Sequence, residues 1–140
     1  MEGFGGLIAF AVGWLMSQII KVFTEWAGAG KMSGREIFAL LVKSRSGGMP
    51  SGHTASFLAL ATYLGLWQGL NSAVFALAVG VAVIVTYDAV NVRWSVGEIG
   101  RVMKREGKIK RVVAGHKMLE VIAGGILGIA VGLGVYWLTM

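Results

Sequence analysis

The sequence predicts an all-α integral membrane bundle of four transmembrane helices plus one short interfacial helix, built as a single domain over residues 1–140. Three observations carry this reading. Of the 140 residues, 56% are hydrophobic and only 14% charged, against roughly 25% charged in a soluble domain. Apolar runs recur at about 4–23, 55–70, 73–90 and 118–138, each near the roughly 20 helical residues that cross a hydrocarbon core. The length suits one core of ordinary size. Disorder and a water-soluble fold are excluded on composition alone.

The elements follow in order. The run from Phe4 to Phe23 lacks the basic start and Ala-x-Ala-like site of a cleaved leader, so it is read as a span. Between Ser33 and Lys43, Ile37, Phe38, Leu40 and Leu41 alternate with Arg35, Glu36 and Lys43, the pattern of a helix lying in the interface. The second and third runs meet at Gln68-Gly69-Leu70-Asn71-Ser72, a turn short enough only for an antiparallel helical hairpin. The fourth run carries Gly124, Gly128 and Gly132 at i, i+4, i+8. Such a ridge admits a neighbouring helix closely, either within the monomer or across a homodimer seam. Glycine numbers 22 and proline 1, and cysteine is absent, which removes disulfides, thiol nucleophiles and thiolate metal sites.

Charge gives the orientation. The net charge is +6, and the stretch from Arg93 to Lys117, with eight cations against Glu98 and Glu106, accounts for all of it. A basic loop between apolar helices faces anionic headgroups rather than nucleic acid. Lys21 to Arg45 is also basic, whereas the loop near Asn71 and both chain ends lack cations. Short basic loops stay on the cytoplasmic side. Four spans therefore thread with both ends outside and both basic loops inside, in a cell (inner) membrane.

Two histidines then start spans at that same inner face. His53 lies in Gly47-Gly48-Met49-Pro50-Ser51-Gly52-His53-Thr54. A helix beginning there points unpaired N–H groups and the positive end of its dipole at the loop, which makes an anion site. Ser51 would cap the helix or bind an oxygen, and Gly52 would let a ligand approach the backbone. The alternative is an ordinary cap with His53 anchored among headgroups. His116 and Glu120 are i and i+4, so on a helix the carboxylate would fix the imidazole tautomer and free the other nitrogen to attack. The alternative there is an interfacial histidine with a helix-pairing glutamate. Asp88 closes the third span beside Asn91 and Arg93, either in the site or as a structural ion pair. Gln18 and Lys21 lie one turn apart near the inner end of the first span, where Lys21 reaches a phosphate or snorkels.

Gln18-Ile19-Ile20-Lys21, Gly47-Gly48-Met49-Pro50-Ser51-Gly52-His53, Tyr87-Asp88-Ala89 with Val92-Arg93 and Gly97, and Gly115-His116 with Glu120-Val121 together resemble the divergent branch of the type-2 phosphatidic acid phosphatase superfamily. That superfamily also includes acid phosphatases and vanadium-dependent haloperoxidases. The resemblance covers nearly the whole chain. It implies a metal-independent phosphatase that needs no cofactor and acts on a lipid phosphate through a phosphohistidine on His116. In this reading Glu120 replaces the family's orienting aspartate, His53 protonates the leaving alkoxide, and Ser51 and Gly52 hold phosphate oxygens. The main superfamily's Arg-Pro is missing, because the sole proline is Pro50, and Lys110 stands where its third-motif arginine would be. Cations for the phosphate must come from among Lys21, Arg45, Arg93, Lys110 and Arg111, with Gln18 and Asp88 in support.

The division of labour is chemically coherent by itself: a phosphomonoester needs cations and N–H donors around its oxygens, an in-line nucleophile and an acid for the departing oxygen. Phosphatidate, phosphatidylglycerophosphate or a polyprenyl phosphate fits. A protein that binds lipid phosphate or assembles on it without turnover is the alternative. A transporter is disfavoured because no polar path crosses the bilayer.

Overall fold

The computed structural model describes residues 4–29, 34, 48–109, 112 and 117–140. Among the described residues the ordered elements are all helical: α1 (Phe4–Ala29), α2 (Gly52–Gln68), α3 (Ala73–Tyr87), a π-helical turn (Asp88–Val92), α4 (Arg93–Arg105) and α5 (Met118–Thr139). The interfacial helix expected between 33 and 43 falls almost entirely outside the described residues.

α2 is the central helix, packed by α1, α3 and α5, and α1 also packs on α5. Small residues set this arrangement. α1 carries Gly5, Ala9, Gly13 and Ser17 at i, i+4 spacing, all buried. α2 and its cap carry Ser51, Ala55 and Ala59, each 0% exposed. α5 carries Gly124, Gly128 and Gly132, buried against α2. A Cβ on Gly128 would come 2.5 Å from the Ala55 carbonyl, and one on Gly132 2.6 Å from that of Ala59. Only glycine permits this approach. The ridge on the last span is thus filled by α2 of the same chain, the first of the two uses the sequence allows.

Large side chains face outward. Ile84 is 70% exposed, Leu77 69% and Ile126 66%, the reverse of a water-soluble core. In hydrocarbon, helices gain nothing by hiding leucine from lipid, and association comes from close backbone packing of small residues. Among the described residues, three helical stretches are long and apolar enough to cross a bilayer: Phe4–Gly28, Ala73–Arg105 and Met118–Thr139. α2, with 17 residues, sits at the lower end of the spanning range of about 17–25 and completes the four-helix bundle from within.

The hairpin forms as the sequence predicts. α2 stops at Gly69, which takes φ +89°, and Ser72 caps α3 by accepting from the Phe75 N–H at 3.2 Å. The segment after the third span corrects the reading of a basic loop: residues 93–105 are helix, and α3, the π turn and α4 run on as one 33-residue stretch. At 1.5 Å per residue that is about 50 Å, well beyond a roughly 30 Å hydrocarbon core. α4 is amphipathic, with Val96, Ile99 and Met103 on one stripe and Arg101, Lys104 and Arg105 on the other side, and Glu98 pairs with Arg101.

Candidate functional site

The small-residue ridges have polar ends, and all of these lie at one end of the bundle. One turn beyond Ser17 on the α1 ridge comes Lys21. One turn before Gly124 on the α5 ridge comes Glu120, and the α2 ridge begins at Ser51. Packing Ala and Gly along the ridges therefore brings Lys21, Ser51 and Glu120 to a common level. The Ser51 N–H donates to the Glu120 carbonyl at 2.8 Å, joining the start of α2 to the first turn of α5. The Lys21 side chain passes beside Gly48, its Cδ 3.9 Å from where a Cβ would stand, and its ammonium interacts electrostatically with the Glu120 and Glu25 carboxylates.

α2 starts at the serine that the sequence offers as a cap. Ser51 is the N-cap, fully buried, and its Oγ accepts from the Thr54 hydroxyl at 3.0 Å and more weakly from the Thr54 N–H. Pro50 stands just before the cap rather than in the first turn. Ser51 thus does the capping its alternative reading describes. Gly52 is pressed against α1, where a Cβ would sit 3.0 Å from Ser17 Oγ and 3.1 Å from Gln18 Nε2.

Ser17, Gln18, Ser51, Thr54 and Ser56 are each 3% exposed or less, and together they form a buried polar collar. Their bonds are largely local: Ser17 Oγ donates to the Trp14 carbonyl at 2.6 Å and accepts from Gln18 Nε2 at 3.3 Å, while Ser56 Oγ donates to the Gly52 carbonyl at 2.9 Å. Sequence reasoning singled out Gln18 but missed Ser17 and Thr54. The signal for Ser17 was its place four residues after Gly13.

His53 is exposed in the first turn of α2. It shares a helical face with Phe57, whose ring meets Phe10 of α1 edge-on at 5.2 Å, and with Leu60, which lies against Gly6. The face carrying Thr54, Leu58 and Thr62 meets α5 instead. His53 therefore belongs to the α1 side of α2, the side of Lys21.

Glu120 stands in the first turn of α5, whose N-cap Lys117 is extended, φ −75° and ψ 152°. The Glu120 carboxylate closes a capping box, accepting from the Lys117 N–H at 3.2 Å. The pairing expected of Glu120 with His116 falls on a residue outside the described ones. Asp88 opens the π turn and is partly buried; Arg93 begins α4. His116, Arg45, Lys110 and Arg111 lie outside the described residues, as does the side chain of Arg93.

This end of the bundle presents a helix N-terminus, an ammonium, an imidazole and a carboxylate, the chemistry for holding an anion and handling its protons. The model of the Divergent PAP2 family matches residues 5–131. An uncharacterized membrane protein, YuiD, of Bacillus subtilis (strain 168) is 32% identical over 142 aligned positions, covering 85% of each chain. No solved structure matches.

Proposed function

The chain belongs to the Divergent PAP2 family, and from that premise we propose that this membrane protein is a lipid phosphate phosphatase. It hydrolyses a phosphomonoester or pyrophosphate of a lipid such as phosphatidate, phosphatidylglycerophosphate or a polyprenyl phosphate. The observation that supports this most is the meeting of Lys21, the capped start of α2 with His53, and the first turn of α5 at one end of the bundle.

The chemistry has two displacements. A His116 ring nitrogen attacks phosphorus in line as the P–O bond to the lipid breaks, and His53 gives its proton to the departing oxygen. Water then attacks the phosphohistidine, returns a proton to His53 and releases phosphate. The α2 N-terminus and Lys21 stabilise charge on the phosphoryl oxygens, with Arg45, Arg93, Lys110 and Arg111 as further sources of positive charge. Glu120, in this reading, takes the place of the family's orienting aspartate, its charge fixing the His116 tautomer. The charge bias of the loops supports a cytoplasmic site, where the headgroup reaches the residues while its chains stay in the bilayer.

Purified protein in liposomes, assayed for phosphate release from these three lipids, tests the reading. Release from at least one of them, abolished by His116→Ala and strongly lowered by His53→Ala, is the expected result. Release that survives both substitutions removes the assigned roles. Binding of lipid phosphate without release favours the non-catalytic alternative.

A further inference from the structure

We propose that α4 lies flat in the headgroup region of the leaflet at the basic end of the bundle and binds anionic phospholipids of the surrounding bilayer there. The π turn is the hinge that lays it down. The inference does not depend on the phosphatase reading.

Length puts α4 at that depth. A roughly 30 Å hydrocarbon core takes about 20 residues at 1.5 Å each, so a span that starts at Ala73 leaves the core at about residue 92 by the same arithmetic. The π turn, Asp88–Val92, ends there, and Arg93 follows it. Sharp changes of helix direction occur at few places, and a π turn is one of them. Run straight on, the 13 residues of α4 would stand about 20 Å out into water.

That posture leaves a large apolar face in water. Val96, Ile99 and Val102 are each more than half exposed, and Met103 more than a third. Arg101, Lys104 and Arg105 stand on the other side. Among the described residues the substantial packing of α4 is with the π turn. The returning chain takes a different flank. α4 ends in a turn at Gly107, φ +72°, closed by the Gly107 N–H donating to the Lys104 carbonyl and the Lys108 N–H donating to that of Met103. Val112 then comes back against Gly100, 3.0 Å from its Cβ position, and the stripe of Val96, Ile99 and Val102 stays open.

Charge names the occupant. Glu98 pairs with Arg101 and Glu106 with Lys108, yet from Arg93 to Lys108 cations still outnumber acids by three. An apolar face beside a basic one is the pattern of a helix lying in a membrane interface, and each lysine or arginine at an anionic surface strengthens binding about fivefold. An acidic protein would satisfy the cations. An anionic bilayer takes both faces at once, and the end of α3 already delivers α4 to its surface.

Depth measurements on the full-length protein test this. The parent chain has no cysteine, so Ile99→Cys and Arg101→Cys each carry a single nitroxide in liposomes of phosphatidylcholine with phosphatidylglycerol, or of phosphatidylcholine alone. Collisions with oxygen, which concentrates in hydrocarbon, are compared with collisions with a water-soluble nickel chelate. In the anionic liposomes the Ile99 label should meet oxygen and be shielded from nickel, and the Arg101 label should show the reverse. Phosphatidylcholine alone, or high salt, should return the Ile99 label to water. Lys104→Gln with Arg105→Gln should lower the ratio of inserted to free Ile99 label about twentyfold, at about fivefold per cation. Nickel access at both labels in every liposome overturns the inference, because α4 then stands in water. Equal shielding of Ile99 with and without phosphatidylglycerol overturns it, because leaflet charge is then not read. Dipolar broadening between Ile99 labels that vanishes on dilution with unlabelled protein overturns it in favour of a second copy. None of these readouts involves turnover, so each outcome leaves the phosphatase reading where it stands.

Discussion

Gly124→Ala is the most local perturbation the structure offers at the candidate site. The added methyl would stand 2.5 Å from the Ser51 carbonyl oxygen and 3.1 Å from both Ser51 N and Cβ. Two of those atoms are backbone and cannot rotate away, so α2 and α5 must separate where the Ser51 N–H meets the Glu120 carbonyl at 2.8 Å. Overpacking of a fitted interface costs about 1–3 kcal/mol, and the hydrogen bond adds about 0.5–1.5 kcal/mol. Against this, alanine in a helix gains roughly 0.5–1 kcal/mol over glycine. The expected net loss is about 0.5–4 kcal/mol by the same figures. A shift of about 1 Å at a reacting centre costs on the order of a hundredfold in rate, so turnover should fall far more than stability. The controls are built in: Gly134→Ala meets nothing within 4 Å, and Gly128→Ala clashes with the Ala55 carbonyl one turn deeper. Unfolding in detergent and phosphate release, measured on all three, should show Gly134→Ala unchanged, Gly128→Ala destabilised with a smaller rate loss, and Gly124→Ala impaired in both. Should Gly124→Ala match Gly134→Ala in both assays, the contact between Ser51 and α5 is not what positions the site.

Other outcomes follow from the same geometry. Ser51→Ala removes a cap and should cost about 1 kcal/mol of stability in thermal unfolding; no loss in the alanine variant refutes the capping role. Glu120→Gln keeps a capping-box side chain and should unfold within about 0.5 kcal/mol of the parent while phosphate release drops; undiminished release shows the charge is not used. Lys21→Met should raise KM for lipid phosphate tenfold or more with the fold retained, and an unaltered KM removes Lys21 from the phosphate site. The parent chain has no cysteine, so single cysteines read topology cleanly: in intact cells an impermeant maleimide should label Asn71→Cys and not Lys108→Cys, and the opposite pattern reverses the orientation.

The spans and the hairpin were legible because hydropathy and a five-residue turn leave few alternatives in a chain of this length. The glycine spacing on the last span was legible as a contact surface, but spacing does not name the partner. What decided it was the matching ridge of Ser51, Ala55 and Ala59, visible once α2 was placed. The helix at 93–105 escaped because its cations read as a solvated loop, although Val96, Ile99 and Met103 keep a helical period. The site was half legible. Pro50 to His53 gives the start of a helix directly, since Ser51 is a strong cap. Glu120 reads in the sequence as a partner for His116 four residues earlier; among the described residues its carboxylate also accepts from the Lys117 N–H, a capping contact that spacing alone does not announce.

The central claim is that a lipid's phosphoryl group passes through one histidine at this end of the bundle. Brief incubation with lipid labelled in its phosphate, quenching in alkali and mapping of the acid-labile label tests it most directly. The account predicts label on His116, lost in His116→Ala and accumulating in a variant slowed in the second displacement. Phosphate release at the full rate with no label on His116, or label on another residue, contradicts it.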